Sequence, residues 1–237
     1  MNAYAPGRLS NAVAAICPDI QAHARRPSTP PDERRLWWEL SCCILSSQVP
    51  FALAVAAADA IDAAGILLFD HRGTDAQSLT SRLAEVLSTP LSVEGRSRSY
   101  RFPAARARHL AATHTAVITE SGSLRALLNR FGDAAEARAW FVTHALGMGP
   151  KQASMFLRNA GLSYELAILD RHVLNYMAAL GIYSGTNLSI AGLAQYLQHE
   201  IVLRDHARTL DCPVGLLDWA IWIVMRVANR KMEPIAI

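Results

Sequence analysis

The chain has 237 residues, 51% of them hydrophobic and 18% charged, which is enough apolar content to bury a core and too little charge for a disordered chain. Its net charge of +3 is only mildly basic, and its longest apolar stretch, residues 51–68, is interrupted by Asp59 and Asp62, which argues against a membrane span. No basic segment followed by an apolar one opens the chain, so no signal peptide is expected, and Cys17, Cys42, Cys43 and Cys212 fit buried free thiols in a reducing cytoplasm better than a zinc finger, a disulfide framework or a four-cysteine iron–sulfur site.

Residues 9–24 read as a helix with a break or kink at Pro18. Residues 25–32 (RRPSTPPD) carry three prolines and read as a linker. Asp32 is the expected N-cap of a helix over 34–45, with Leu36, Trp37, Leu40, Cys43 and Ile44 at core spacing. Ser46-Ser47-Gln48 ends it, and Pro50 suits the first turn of a helix over 51–64. A further helix is expected over 75–88. Residues 94–108 then hold an uneven cluster of Arg96, Arg98, Arg101, Arg106 and Arg108 around Tyr100 and Phe102. Helical spacing continues over 106–120, 123–131, 134–146, 151–160, 171–180, 190–203 and 215–227. There is no run of alternating strands, no GxGxxG, no P-loop and no fixed repeat, so the chain is expected to be all-α.

The chemistry concentrates in residues 145–177. Gly147 and Gly149 permit a tight hairpin with positive φ between two helices, and Pro150 suits the first turn of the second. Backbone N–H groups beside a helix N-terminus make a phosphate site that grips the backbone without reading sequence, although a bare GxG is most often only a turn. Lys151 follows at once. Only two of the 23 basic residues are lysines, Lys151 and Lys231, and an amine can do what a guanidinium cannot. The helix dipole and desolvation at that position favour the free amine that a Schiff-base nucleophile requires; the plainer alternative is a solvated lysine near bound phosphate. Asp170, nineteen residues on, precedes a helix. It reads as an N-cap, as a carboxylate that accepts the lysine's proton or stabilises positive charge on a sugar, or as both.

The segment GMGPKQASMFLRNAG…LAILDRH resembles the helix–hairpin–helix DNA glycosylases, and within them the prokaryotic type 2 8-oxoguanine DNA glycosylase/AP lyases. The resemblance implies a two-lobed fold with a DNA-binding cleft, Lys151 as the nucleophile at C1′ and Asp170 as the acid/base and charge-stabilising group. The lobes would be residues 1–50 with 181–237, and residues 51–180 with the helix–hairpin–helix at about 134–160. Ile44-Leu45-Ser46-Ser47-Gln48 looks like the L-S-x-Q stretch of the related endonuclease III proteins, where the glutamine enters the DNA stack; Gln48 is either that residue or an ordinary loop glutamine. Leu217-Asp218-Trp219-Ala220-Ile221-Trp222 resembles the family's D-x-x-W helix, so Trp222 and Trp219, with Phe51, are expected at the base pocket, although tryptophans at this spacing are often core. Gly147, Gly149, Arg171 and His172 are the expected DNA contacts, His172 alternatively having a structural role, and the Arg96–Arg108 cluster could meet phosphates.

Double-stranded DNA carrying a modified base is the expected partner of a monomeric, cytoplasmic, nucleoid-associated protein. No metal is expected, and no cofactor beyond a monovalent cation at the hairpin bridging to a DNA phosphate. The chain departs from the type 2 pattern at its C-terminal end, which continues past Asn229 to Ile237 where that pattern has a polar tail with a base-reading lysine. The resemblance makes 8-oxoguanine the lead substrate, and the departing C-terminal end is the ground for a different base. The alternatives are a different or hypermodified base, as in phage DNA and antiviral defence, a non-catalytic DNA-binding module, and a small-molecule helical enzyme.

Overall fold

The computed structural model describes residues 6–24, 31–68, 76–185, 190 and 192–230. Residues 25–30 of the expected linker and residues 231–237, with Lys231 and most of the divergent C-terminal end, lie outside the described residues. The chain forms two compact units, residues 28–162 and residues 1–27 with 163–237. The borders thus fall at 27 and 162, where the sequence reading placed them at 50 and 180. Helix α2 (Glu33–Leu45) is the reason for the first: it packs on α3 (Phe51–Ala63), α5 (Pro103–Ser121), α6 (Leu124–Leu128) and α8 (Pro150–Asn159), all in the 28–162 unit.

In that unit Asp32 caps α2 as expected, accepting the Arg35 N–H at 2.7 Å. All but one residue of α2 from Leu36 to Leu45 is buried, which makes it the central helix. Its first-turn Glu33 reaches across to α6, accepting from the backbone N–H groups of Leu124 at 2.7 Å and Arg125 at 2.9 Å, two donors that α6 cannot satisfy internally. Helix α4 (Ala76–Ser88) packs on α5, and α7 (Ala134–His144) on α8. Phe141 of α7 meets Phe156 of α8 edge to face, with centroids 5.1 Å apart.

The expectation of no strands needs correction. β1 (Leu91–Val93) and β2 (Arg96–Arg98) form an antiparallel hairpin. Glu94 and Gly95 both have positive φ, 51° and 74°, as a two-residue hairpin turn requires. Three-residue strands are too short to show alternation in a sequence.

The other unit contains α1 (Pro6–His23), α9 (Arg171–Ala179), α10 (Gly192–Thr209) and α11 (Val214–Arg230), with α11 packed on the other three. Its core includes Val13, Cys17, Val173, Met177, Leu217 and Ile221. Pro18 lies inside α1, which does not end there. Among the described residues the fold is all-α apart from the one hairpin.

Candidate active site

Helices α7 and α8 are joined by residues 145–149. Ala145 ends α7 in an extended conformation, and its carbonyl accepts the Met148 N–H at 3.1 Å. Gly147 has φ +83°, a left-handed conformation that disfavours any side chain, and a Cβ there would strike the His109 ring, 2.9 Å from Cε1. Two independent reasons therefore demand glycine. Gly149 differs from expectation: its φ is −89° and it is the N-cap of α8. Only one of the two glycines makes the left-handed turn. The other serves because it caps α8 without a side chain, leaving the first-turn N–H groups uncovered by any cap hydrogen bond.

Lys151 is the second residue of α8, behind Pro150 at the first position, and is half-buried. Its charge acts on the Cys43 thiol of α2. Burial, with Glu39 adding to it, pushes that thiol up to about 12, and the cations Lys151 and Arg158 partly oppose the rise. The rest of the Lys-x-x-x-x-Phe-Leu-Arg-Asn stretch is scaffold. Ser154 accepts from Arg138 of α7 at 3.2 Å, and Asn159 donates to the buried Glu39 of α2 at 3.3 Å. The amine thus projects from a helix held to α7 at its middle and to α2 at its last residue.

Gln48 lies in the turn between α2 and α3, exposed, with φ 61°. That is a strained conformation for a residue with a side chain, and strain of this kind persists only where surroundings impose it. The imposing groups were not visible in the sequence reading. Tyr100 donates its hydroxyl to the Leu45 carbonyl at 2.7 Å, and Arg106 donates to the Ser47 carbonyl at 3.0 Å. Burial pushes the Tyr100 phenol up to about 12, which keeps it a neutral donor. Arg106 itself is buried, whereas Arg96, Arg98, Arg101 and Arg108 are exposed. The arginine cluster is therefore four solvent-facing cations and one internal brace. Phe51, the first residue of α3, is 60% exposed.

In the other unit, Asp170 caps α9, its carboxylate accepting the Val173 N–H at 2.8 Å. The buried segment leading to it is threaded through α10. Glu200 accepts the Ala167 N–H at 2.7 Å, while the Tyr196 hydroxyl accepts from Leu169 N–H at 3.0 Å and donates to the Ala167 carbonyl at 2.7 Å. Tyr196 and Glu200, four apart on one helix face, are the supporting residues the sequence reading missed. Arg171 is exposed at the start of α9. His172 is half-buried, and its Nδ1 is enclosed with no hydrogen-bond partner among the described residues. Trp219 and Trp222 are 36% and 42% exposed, so neither is a core residue; the Arg226 guanidinium stacks 4.4 Å from the Trp222 ring.

A mostly helical chain whose α7–turn–α8 presents a lysine in the first turn behind a glycine cap falls in the helix–hairpin–helix class. Residues 24–212 match the family described as 8-oxoguanine DNA glycosylase. An 8-oxoguanine DNA glycosylase/AP lyase of Saccharolobus islandicus is 42% identical over 76 residues, a match spanning 32% of this chain and 36% of that protein. One from Sulfurisphaera tokodaii is 30% identical over 204 residues, 85% of this chain and 86% of that protein. The crystal structure of Methanocaldococcus jannaschii 8-oxoguanine glycosylase/lyase, in complex with a 15mer DNA containing 8-oxoguanine, superposes with a TM-score of 0.69 at 20% identity, covering 92% of this chain and 96% of that one. The chain belongs to the 8-oxoguanine DNA glycosylase family.

Proposed function

We propose that this chain is a DNA glycosylase with AP lyase activity that removes 8-oxoguanine from duplex DNA. The observation that carries the proposal is Lys151 in the first turn of a glycine-capped helix, within the span matched by the family. The uncovered N–H groups of the α8 start and the Gly147 turn suit a DNA phosphate. The damaged nucleotide leaves the stack at a cost of a few kcal/mol. Gln48 fills the gap, Trp222, with Trp219 and Phe51, stacks on the extruded base, and Arg171 and His172 contact phosphate.

The Lys151 amine, in its neutral form, adds to C1′ as the C1′–N9 bond breaks, and the base departs with the bonding electrons and takes up a proton. Asp170 accepts the proton lost by the lysine and stabilises the positive charge that develops on the sugar. The C1′–O4′ bond then opens, O4′ taking the proton that Asp170 accepted, and the Schiff base so formed at C1′ acidifies C2′. Removal of a C2′ proton expels the 3′ phosphate and nicks the strand 3′ of the lesion. A non-catalytic clamp would need neither Lys151 nor Asp170. The matched relatives named above are all 8-oxoguanine enzymes, which favours that base over the hypermodified bases of phage DNA and gives antiviral defence no support.

The test is an excision assay on an 8-oxoguanine duplex with Lys151→Gln, which should bind DNA and lose both base release and nicking. Full base release by this variant would refute the covalent mechanism.

A further inference from the structure

We propose that Arg106 is a positioning residue that fixes the Gln48 turn and the Gly147 turn in one geometry. The proposal rests on the reading above, in which Gln48 enters the DNA and the Gly147 turn meets phosphate. Arg106 stands on α5, only 8% exposed. One of its terminal nitrogens donates to the Ser47 carbonyl at 3.0 Å, and the other lies 3.1 Å from Nδ1 of His109. A guanidinium only donates, so Nδ1 accepts and the His109 proton resides on Nε2. The same ring lies against Gly147 so closely that a Cβ has no room. One planar fork therefore spans from the residue before Gln48 to the ring backing the hairpin, and the Tyr100 hydroxyl holds Leu45 on the same turn.

The chemistry of Arg106 is hard to explain by core packing. Among the described residues no carboxylate pairs with it, and its Nε is buried without a partner. A buried cation without a carboxylate partner is costly, and an apolar side chain would fill the face of α5 without that cost. What an apolar residue could not do is hold Ser47 against the strain at Gln48 while fixing His109 under Gly147. The Phe102 ring, 5.8 Å from the Arg106 guanidinium carbon, offsets part of that cost, and the charge beneath both turns also complements a DNA phosphate. Lysine keeps the charge but, as a single ammonium, cannot reproduce the fork.

The test is single-turnover excision from an 8-oxoguanine duplex by the wild type, Gln48→Ala, Arg106→Lys and the double variant, with binding to undamaged duplex measured alongside. Each single variant should slow excision about tenfold or more, the scale of a small misplacement in an active site. The double variant should be no slower than the slower single, because both changes remove the same insertion. Arg106→Lys should also weaken binding to undamaged duplex severalfold, and by more than Gln48→Ala does, since only the first disturbs the hairpin. A wild-type rate for Arg106→Lys, or effects that multiply, would overturn the positioning role while leaving Gln48 standing. A wild-type rate for Gln48→Ala would overturn the reading of Gln48 and the proposal with it. Should Arg106→Lys fail to fold, Tyr100→Phe removes only the hydroxyl on Leu45. Slower excision that does not multiply with Gln48→Ala supports the proposal, and a wild-type or multiplicative result sinks it.

Discussion

Replacing Gly147 by alanine separates the two reasons for glycine at the hairpin. The backbone at φ +83° costs a residue with a Cβ about 1–2 kcal/mol. The new methyl must also displace the His109 ring, which forfeits the contact with Arg106 at 3.1 Å, and a lost hydrogen bond adds about 1 kcal/mol. The sum is about 2–3 kcal/mol, or a fall in melting temperature of roughly 5–10 °C for a chain of this size. In a His109→Ala background the ring is gone, and the same substitution should cost only the backbone part, about 1–2 kcal/mol. Gly149→Ala is the control. Its φ is −89°, and the nearest atom a Cβ would meet is the flexible end of Gln152 at 3.3 Å, so the loss should stay below about 1 kcal/mol. Denaturant titration of the variants decides the matter. Equal losses at 147 and 149, or an undiminished cost of Gly147→Ala without His109, would refute the reasoning.

Three further outcomes follow from the same structure. Tyr196→Phe strands the Leu169 N–H and the Ala167 carbonyl in a buried place and should cost about 2–4 kcal/mol in urea titration, with slower excision because the segment before Asp170 loosens. His109 and His206 are both held below the usual 6.5, chiefly by burial, with the cations Arg106 and Arg108 adding at His109. The unfolded chain therefore takes up these protons first, and stability should be full above about pH 6.5 and fall as pH drops through the folded values, visible as a declining urea midpoint; a midpoint that rises on acidification would contradict this. All four thiols are buried, and burial raises each, so none should react with a thiol reagent until the protein unfolds.

Some of this was legible in the sequence because it depends on neighbours along the chain. Asp32 and Asp170 cap helices through N–H groups three residues away, a local rule that spacing reveals. The Gly147–Lys151 turn and helix start are equally local. What was illegible depends on partners distant in sequence. Arg106 read as one more cation in a basic run, because Ser47, which fixes its role, is 59 residues away. Glu200 and Tyr196 brace a segment 33 and 27–29 residues off, with nothing nearby to mark them. As bare sequence the tryptophans read more often as core than as pocket, and only their exposure on α11 removes the first alternative. In the sequence α2 looked like part of an N-terminal lobe, whereas it packs with α3, α5, α6 and α8, partners up to about 120 residues away. The proline-rich segment before Asp32 was the better marker, since a boundary falls at residue 27.

The central claim is that Lys151 forms a bond to the sugar. Borohydride reduction during reaction with an 8-oxoguanine duplex would freeze that bond, and peptide mass spectrometry of the trapped complex would locate it. The chain offers only two lysines, Lys151 and Lys231, so the outcome is close to binary. The account predicts a deoxyribose adduct on the peptide containing Lys151, absent in Lys151→Gln. An adduct on Lys231, or efficient base release with no adduct at all, would contradict it.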